Sequence, residues 1–335
     1  MMGQREGATT DSGMSAEIRQ RWEAIDDIDE PDELIDLGID MADAGLLEKA
    51  ATCFRAATRS GSGVAWFNLG NTLRDLGRPA EAVPAYKTAI ELGENDALLN
   101  LGLLLIDVEA WDEAISYLRQ AAADGQEHAW HPLGYALMKQ GDSSGAREAL
   151  QKAADSADPD AMVTLAYLLR ESGDVHAAVG WLHAAAGDGH PAAAGQAAAW
   201  EWEATHDVAL EPRLRAGAEY SSSARSALAR LLESTGRTGE AIDVLEQGLE
   251  RGDNDHLLHL GNLYHDAGDL DRAAQAYRRD IEGGDPLGHQ NLGVLLEEEG
   301  DLEGALEHYR IGASLGDTMA ARSYDRLRFS EEPPE

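Results

Sequence analysis

Val64-Ala65-Trp66-Phe67-Asn68-Leu69-Gly70-Asn71-Thr72-Leu73-Arg74-Asp75-Leu76-Gly77 reads as one helix and its stop signal. Trp66, Leu69, Leu73 and Leu76 recur at helical spacing. Gly77 supplies the left-handed residue that ends a helix. Ala82 and Tyr86 then open a second apolar helix. The pair Leu69-Gly70 serves as a ruler for the rest of the chain. It returns as Leu37-Gly38, Leu101-Gly102, Leu133-Gly134, Leu260-Gly261 and Leu292-Gly293, with Leu165-Ala166 and Leu228-Ala229 in the same register. The step is 32 residues, and the one gap of 63 holds two units, the second anchored at Ala197.

Other columns keep the same period. Eight residues after the anchor stand Gly45, Gly77, Gly141, Gly173, Gly236, Gly268 and Gly300. Thirteen after stand Ala50, Ala82, Ala114, Ala146, Ala178, Ala241, Ala273 and Ala305. Seventeen after stands an aromatic residue or leucine, from Phe54 and Tyr86 to Tyr277 and Tyr309. Asp142, Asp174, Asp269 and Asp301 follow the turn glycine and place a capping oxygen at the second helix. A lone helix pair cannot bury both of its apolar faces, whereas stacked pairs can. The pattern therefore predicts an all-α fold, a right-handed α-solenoid of about nine helix-turn-helix repeats of 32 residues.

The order Trp66, Leu69-Gly70, Gly77, Ala82, Tyr86 resembles the tetratricopeptide (TPR) motif. The Ala-Ala-x-x-Gly endings, as at Ala122-Ala123-Asp124-Gly125, are similar to Sel1-like repeats. The resemblance covers about residues 31–317. It implies that first helices line a concave, partner-binding groove. Groove positions then fall two before, two after and five after each anchor, on one helix face. They give Phe67, Asn71, Arg74, Leu99, Leu103, His131, Tyr135, Met138, Tyr167, Arg170 and Trp202, with Ile35 and Ile39 in the first unit. Chaperone-binding TPR proteins clamp a C-terminal carboxylate with paired basic residues and asparagines. Asn71, Arg74 and Arg170 echo only part of that set, so the role is not assigned.

The ends and one internal unit depart from the pattern. Residues 1–14 read as disordered, 15–30 as a capping helix with Ile18, Trp22 and Ile25 inward, 318–329 as a second cap with Met319, Tyr324 and Leu327 inward, and 330–335 as a tail. Repeats 1–5 occupy 31–190, a degenerate sixth 191–221, and repeats 7–9 residues 222–317. The sixth lacks the Leu-Gly pair and the Ala column. It carries Trp200 and Trp202, and Pro212 is read as the start of a shortened second helix. It reads as a decayed repeat, a hinge, or a place where the two tryptophans grip a ligand.

Composition narrows the function. The 335 residues include 62 acidic and 27 basic ones, a net charge of −35. Such a surface repels nucleic acids and anionic membranes. The N-terminus has no apolar signal-peptide core, and no segment approaches the length of a membrane span. A cytoplasmic protein is expected. Cys53, the single cysteine, reads as a small core residue and excludes an internal disulfide. No phosphate-binding loop, nucleophile elbow or His-Glu-x-x-His occurs. The pairs His128/His131 and His256/His259 have metal-compatible spacing, but the repeat register turns one member of each pair away. No enzyme, cofactor or metal is expected. The reading is a protein–protein interaction scaffold that holds a peptide or protein segment in its groove. The alternative is a peptide- or effector-sensing regulator that changes curvature at repeat six.

Overall fold

The computed structural model describes residues 14–330. Apart from Met14 and Ser330, the expected disordered stretch 1–14 and tail 330–335 fall outside the described residues. Twenty α-helices and no strand occur among those residues, in two compact units divided between Gly173 and Asp174. The first unit holds α1 (Ala16–Glu23), α2 (Pro31–Asp43), α3 (Leu47–Ala57), α4 (Gly63–Asp75), α5 (Pro79–Glu91), α6 (Ala97–Asp107), α7 (Trp111–Ala123), α8 (Trp130–Gln140), α9 (Ser143–Asp155) and α10 (Pro159–Glu171). The second holds α11 (Val175–Gly187), α12 (Ala193–Thr205), α13 (Glu211–Gly217), α14 (Ser222–Ser234), α15 (Thr238–Glu250), α16 (Leu257–Asp266), α17 (Leu270–Glu282), α18 (Leu287–Glu298), α19 (Leu302–Ser314) and α20 (Thr318–Ser330). The helix-turn-helix reading of the repeats holds. The boundary between units falls inside repeat five.

The columns have direct physical causes. The glycine of Leu-Gly lies beneath the side chain of position seventeen. A Cβ on Gly70 would stand 2.6 Å from the Tyr86 ring, and one on Gly102 would stand 2.6 Å from Leu118. The missing side chain is what lets the two helices of a pair approach. The anchors Leu37, Leu101 and Leu165 and the alanines Ala50, Ala82 and Ala114 are fully buried. The turn glycines adopt positive φ, as Gly77 does at 69°. Asp142, Asp174, Asp269 and Asp301 each accept a hydrogen bond from the backbone N–H three residues on, the capping expected from sequence. Cys53 is buried among these helices, and burial pushes its thiol up to about 11.

Repeat six belongs to the core of the second unit. Trp202, Leu214, Ala224, Leu228 and Leu245 share one apolar cluster that runs on to Leu295. Its second helix, α13, is short at 7 residues and has a proline in its first turn, as Pro212 foretold. His206 closes α12 in the left-handed conformation in place of the missing glycine. Repeat six is thus packed into this cluster rather than set apart from it. At the C-terminal end, Leu327 and Ala320 of α20 are buried, while Met319 is exposed. The inward assignment of Met319 is therefore corrected: the small Ala320 takes the packed position. Among the described residues, no helix is long and apolar enough to cross a membrane.

Candidate functional site

The first helices α4, α6, α8 and α10 carry ten of the eleven expected groove residues, all within the first unit. The column two past the anchor faces solvent most consistently. Ile39 is 41% exposed, Leu103 39%, Tyr135 37% and Tyr167 43%. Four large apolar side chains thus share this register position on α2, α6, α8 and α10, whereas α4 places the half-buried Asn71 there. The column two before the anchor is half-buried at Phe67, Leu99 and His131. Ile35, in that column, is buried.

Local contacts fix several of these side chains. Tyr135 meets Trp111 edge-on, with ring centroids 6.3 Å apart, and the Lys139 ammonium stands 5.3 Å from its ring centre. His131 Nε2 lies 3.1 Å from Thr164 Oγ1, and its Nδ1 lies 3.6 Å from Asp158. Partial burial pushes the Tyr167 phenol above its ordinary range, with Arg170 opposing. Arg74 is paired with Asp75 at 3.0 Å. Met138 is half-buried. Phe67 and Leu99 line an open depression of about 510 Å3 together with Asn100 and Gln126.

Two expected members do not present themselves to a partner. Asn71 Oδ1 accepts from the Tyr86 hydroxyl at 2.8 Å and from Asn100 Nδ2 at 2.7 Å, so it ties repeat two to repeat three. The same knot recurs at Asn262, which accepts from Tyr277 and Asn291. Trp202 is only 6% exposed and sits in the core of the second unit. Its groove assignment is corrected. The alanine run of α12 lets the helix bury nearly every side, so extrapolating the groove face from other repeats fails there. Trp111 was not found from sequence, because it stands on a second helix, outside the columns that define the first-helix face. The histidines go separate ways: His256 lies 2.9 Å from Ser222 Oγ, His259 3.1 Å from Glu233 and His265 2.8 Å from Glu298. No cluster of three metal-ligating side chains forms among the described residues.

A tetratricopeptide repeat model matches residues 35–97, 67–129, 131–199 and 226–286, together more than half of the chain. The chain belongs to the tetratricopeptide repeat family. Among solved structures, it is similar to c5321, a protective antigen of uropathogenic Escherichia coli strains displaying an SLR fold. That match has a TM-score of 0.58 at 22% identity and covers 94% of this chain and 74% of that one. PilF of Pseudomonas aeruginosa matches at a TM-score of 0.48 and 19% identity, over 63% of this chain and 99% of that one. YrrB, described as a TPR protein with an unusual peptide-binding site, matches at 0.44 and 20%, over 50% of this chain and 91% of that one. No curated protein matches. The c5321 likeness bears on the fold and agrees with the Sel1-like endings of the TPR repeats.

Proposed function

We propose that this TPR protein is a non-catalytic scaffold that holds a segment of another protein along the first helices of its first unit. The carrying observation is the exposed column Ile39, Leu103, Tyr135 and Tyr167. Large apolar groups repeating at one register position on exposed faces mark an interaction surface, and tyrosine is among the residues that dominate binding hot spots. Family membership supports the general role of protein interaction. The Trp111 and Lys139 contacts hold Tyr135 in place, which lowers the entropy cost of binding. A net charge of −35 favours a neutral or basic segment with apolar anchors and disfavours polyanions. We take the cytoplasm as its place of action.

Selection from a random peptide library displayed on phage tests the reading. The expected outcome is enrichment of peptides carrying aromatic or aliphatic anchors without net negative charge. Their affinity should fall at least about tenfold in the Tyr135→Ala/Tyr167→Ala double variant, a modest loss for two hot-spot residues. The same peptides should bind Leu287→Ala, altered at an exposed position of the second unit, as tightly as the unaltered chain. Equal affinity of the double variant would remove this column from the binding surface.

A further inference from the structure

Repeat six breaks a second column, four residues past the anchor. Met41, Leu73, Leu105, Leu137, Leu169 and Leu232 fill that position in other repeats, none more than 6% exposed. Repeat six has Glu201 there. A carboxylate is costly to leave unpaired in an apolar interior. Glu201 instead reaches His183 Nε2 at 2.8 Å and forms a close ion pair with Arg213. Burial pushes its carboxyl up, but these hydrogen bonds outweigh that and hold it below the ordinary range.

Glu201 here lines a pocket that opens to solvent past the exposed Val175, Gly180, His183 and Ala204. It lies between α11 and α12, within the second unit, and has a volume of about 450 Å3. Val175, Val179, Trp200 and Ala204 form its apolar walls. Gly180 lines it too, and a Cβ built on Gly180 meets nothing within 4 Å. Two departures from the repeat, a lost leucine and a glycine on the facing helix, thus border the same space. The size falls within the range of small-molecule sites. The Glu201 carboxylate at its rim is already taken up by His183 and Arg213, so a cationic ligand would find no free counter-charge there, and the imidazole of His176 adds a further polar group to the lining.

We propose that this pocket binds an uncharged, apolar small molecule of one or two rings. The site is separate from the exposed column of the first unit and does not depend on the scaffold reading.

Titration of the full chain with the neutral fluorophore N-phenyl-1-naphthylamine tests the proposal. The expected result is a saturable rise in fluorescence with one site per chain. Two substitutions fill the pocket from opposite walls: Gly180→Leu, and Glu201→Leu, which restores the repeat's own residue. Each should weaken binding about tenfold or more while leaving the helical circular dichroism intact. Should one variant fail to fold, the other decides. The Tyr135→Ala/Tyr167→Ala variant should bind the probe unchanged. The proposal fails if the unaltered chain shows no saturable single site, if a folded filled variant keeps the original affinity, or if the tyrosine double variant loses the probe.

Discussion

Glu109 holds φ at 57° and Ala157 at 62°, in the left-handed region. Both occupy columns where other repeats place glycine, Glu109 at the turn inside a repeat and Ala157 at the turn between repeats. A side chain costs about 1–2 kcal/mol in that conformation. Glycine loses part of this advantage to the freedom it gains in the unfolded chain. Glu109→Gly and Ala157→Gly should therefore each raise stability by up to about 1 kcal/mol, read as a higher denaturation midpoint in urea. Asp280 is the opposite case. It stands where Ala89, Ala121, Ala153 and Gly312 stand in other repeats, and it is 8% exposed with Oδ2 unpartnered. Burial, aided by Asp285, pushes its carboxyl up to about 6. The folded state binds this proton more tightly than the unfolded chain does. The contribution to stability is thus full below about pH 4 and is lost as pH rises through about 6. Asp280→Asn should melt a few degrees above the unaltered chain at pH 7.5, and the difference should shrink toward zero by pH 4. A constant difference across that range would show that Asp280 does not titrate as described. Asp280 was legible in principle, since an acid in a small-residue column is visible once the repeats are aligned. The cost of its burial was not, because that depends on Gly288 of α18, where a Cβ would stand 2.9 Å from Asp280 Oδ2.

At the scale of helices, glycines of one composition class do opposite work. Gly102 in α6 lies against Leu118 of α7, and a Cβ there would meet Leu118 Cγ at 2.6 Å. Gly180 in α11 faces open space. Alanine has the higher helix propensity at both sites, by about 1 kcal/mol. Gly180→Ala should accordingly stabilise the protein by about that amount. Gly102→Ala should destabilise it, because forced repacking costs about 1–3 kcal/mol and exceeds the gain in propensity. Thermal melts of the two variants give the signs directly, and a stabilising Gly102→Ala would refute the close-approach account of the Leu-Gly pair. This pairing is why the helix count and register were legible: sterics repeat every 32 residues, so the sequence must repeat as well. The candidate site was legible only where the repeat is regular. Tyr135 and Tyr167 emerge at the expected face because α8 and α10 keep the common apolar pattern. Trp202 does not, because residues 197–199 of α12 are alanines and are all buried. With the helix apolar on several sides, side-chain size and the short α13 decide which way each tryptophan turns, and neither is a periodic signal.

For the molecule as a whole, charge is the property that spacing does not set. With 62 acidic and 27 basic residues, most acids have no basic partner available. Many of the arginines are already committed, as Arg78 is to Glu48 at 2.8 Å and Arg326 to Glu297 at 2.6 Å. These exposed pairs contribute little individually. The surplus acids repel one another across the folded surface more strongly than in an expanded chain. Salt shortens the reach of that repulsion, from about 30 Å at 0.01 M to about 8 Å at 0.15 M. Raising sodium chloride from 0.01 to 0.3 M at pH 7.5 should therefore raise the melting temperature by a few degrees, since screening relieves the net repulsion more than it weakens the scattered pairs. Near the isoelectric point, about 4.5, net repulsion vanishes and the ion pairs dominate what remains. There the same addition of salt should leave the melting temperature unchanged or lower it. Calorimetric scans at the two pH values, with and without salt, separate these regimes. A fall in melting temperature with salt at pH 7.5 would mean that the pairs, not the surplus, govern the electrostatics of the fold. The same surplus bears on the partner. A basic segment would bind more weakly as salt rises, whereas a neutral segment held by Tyr135 and Tyr167 would keep its affinity. The salt dependence of peptides selected on the first unit therefore tells which kind of segment this surface takes.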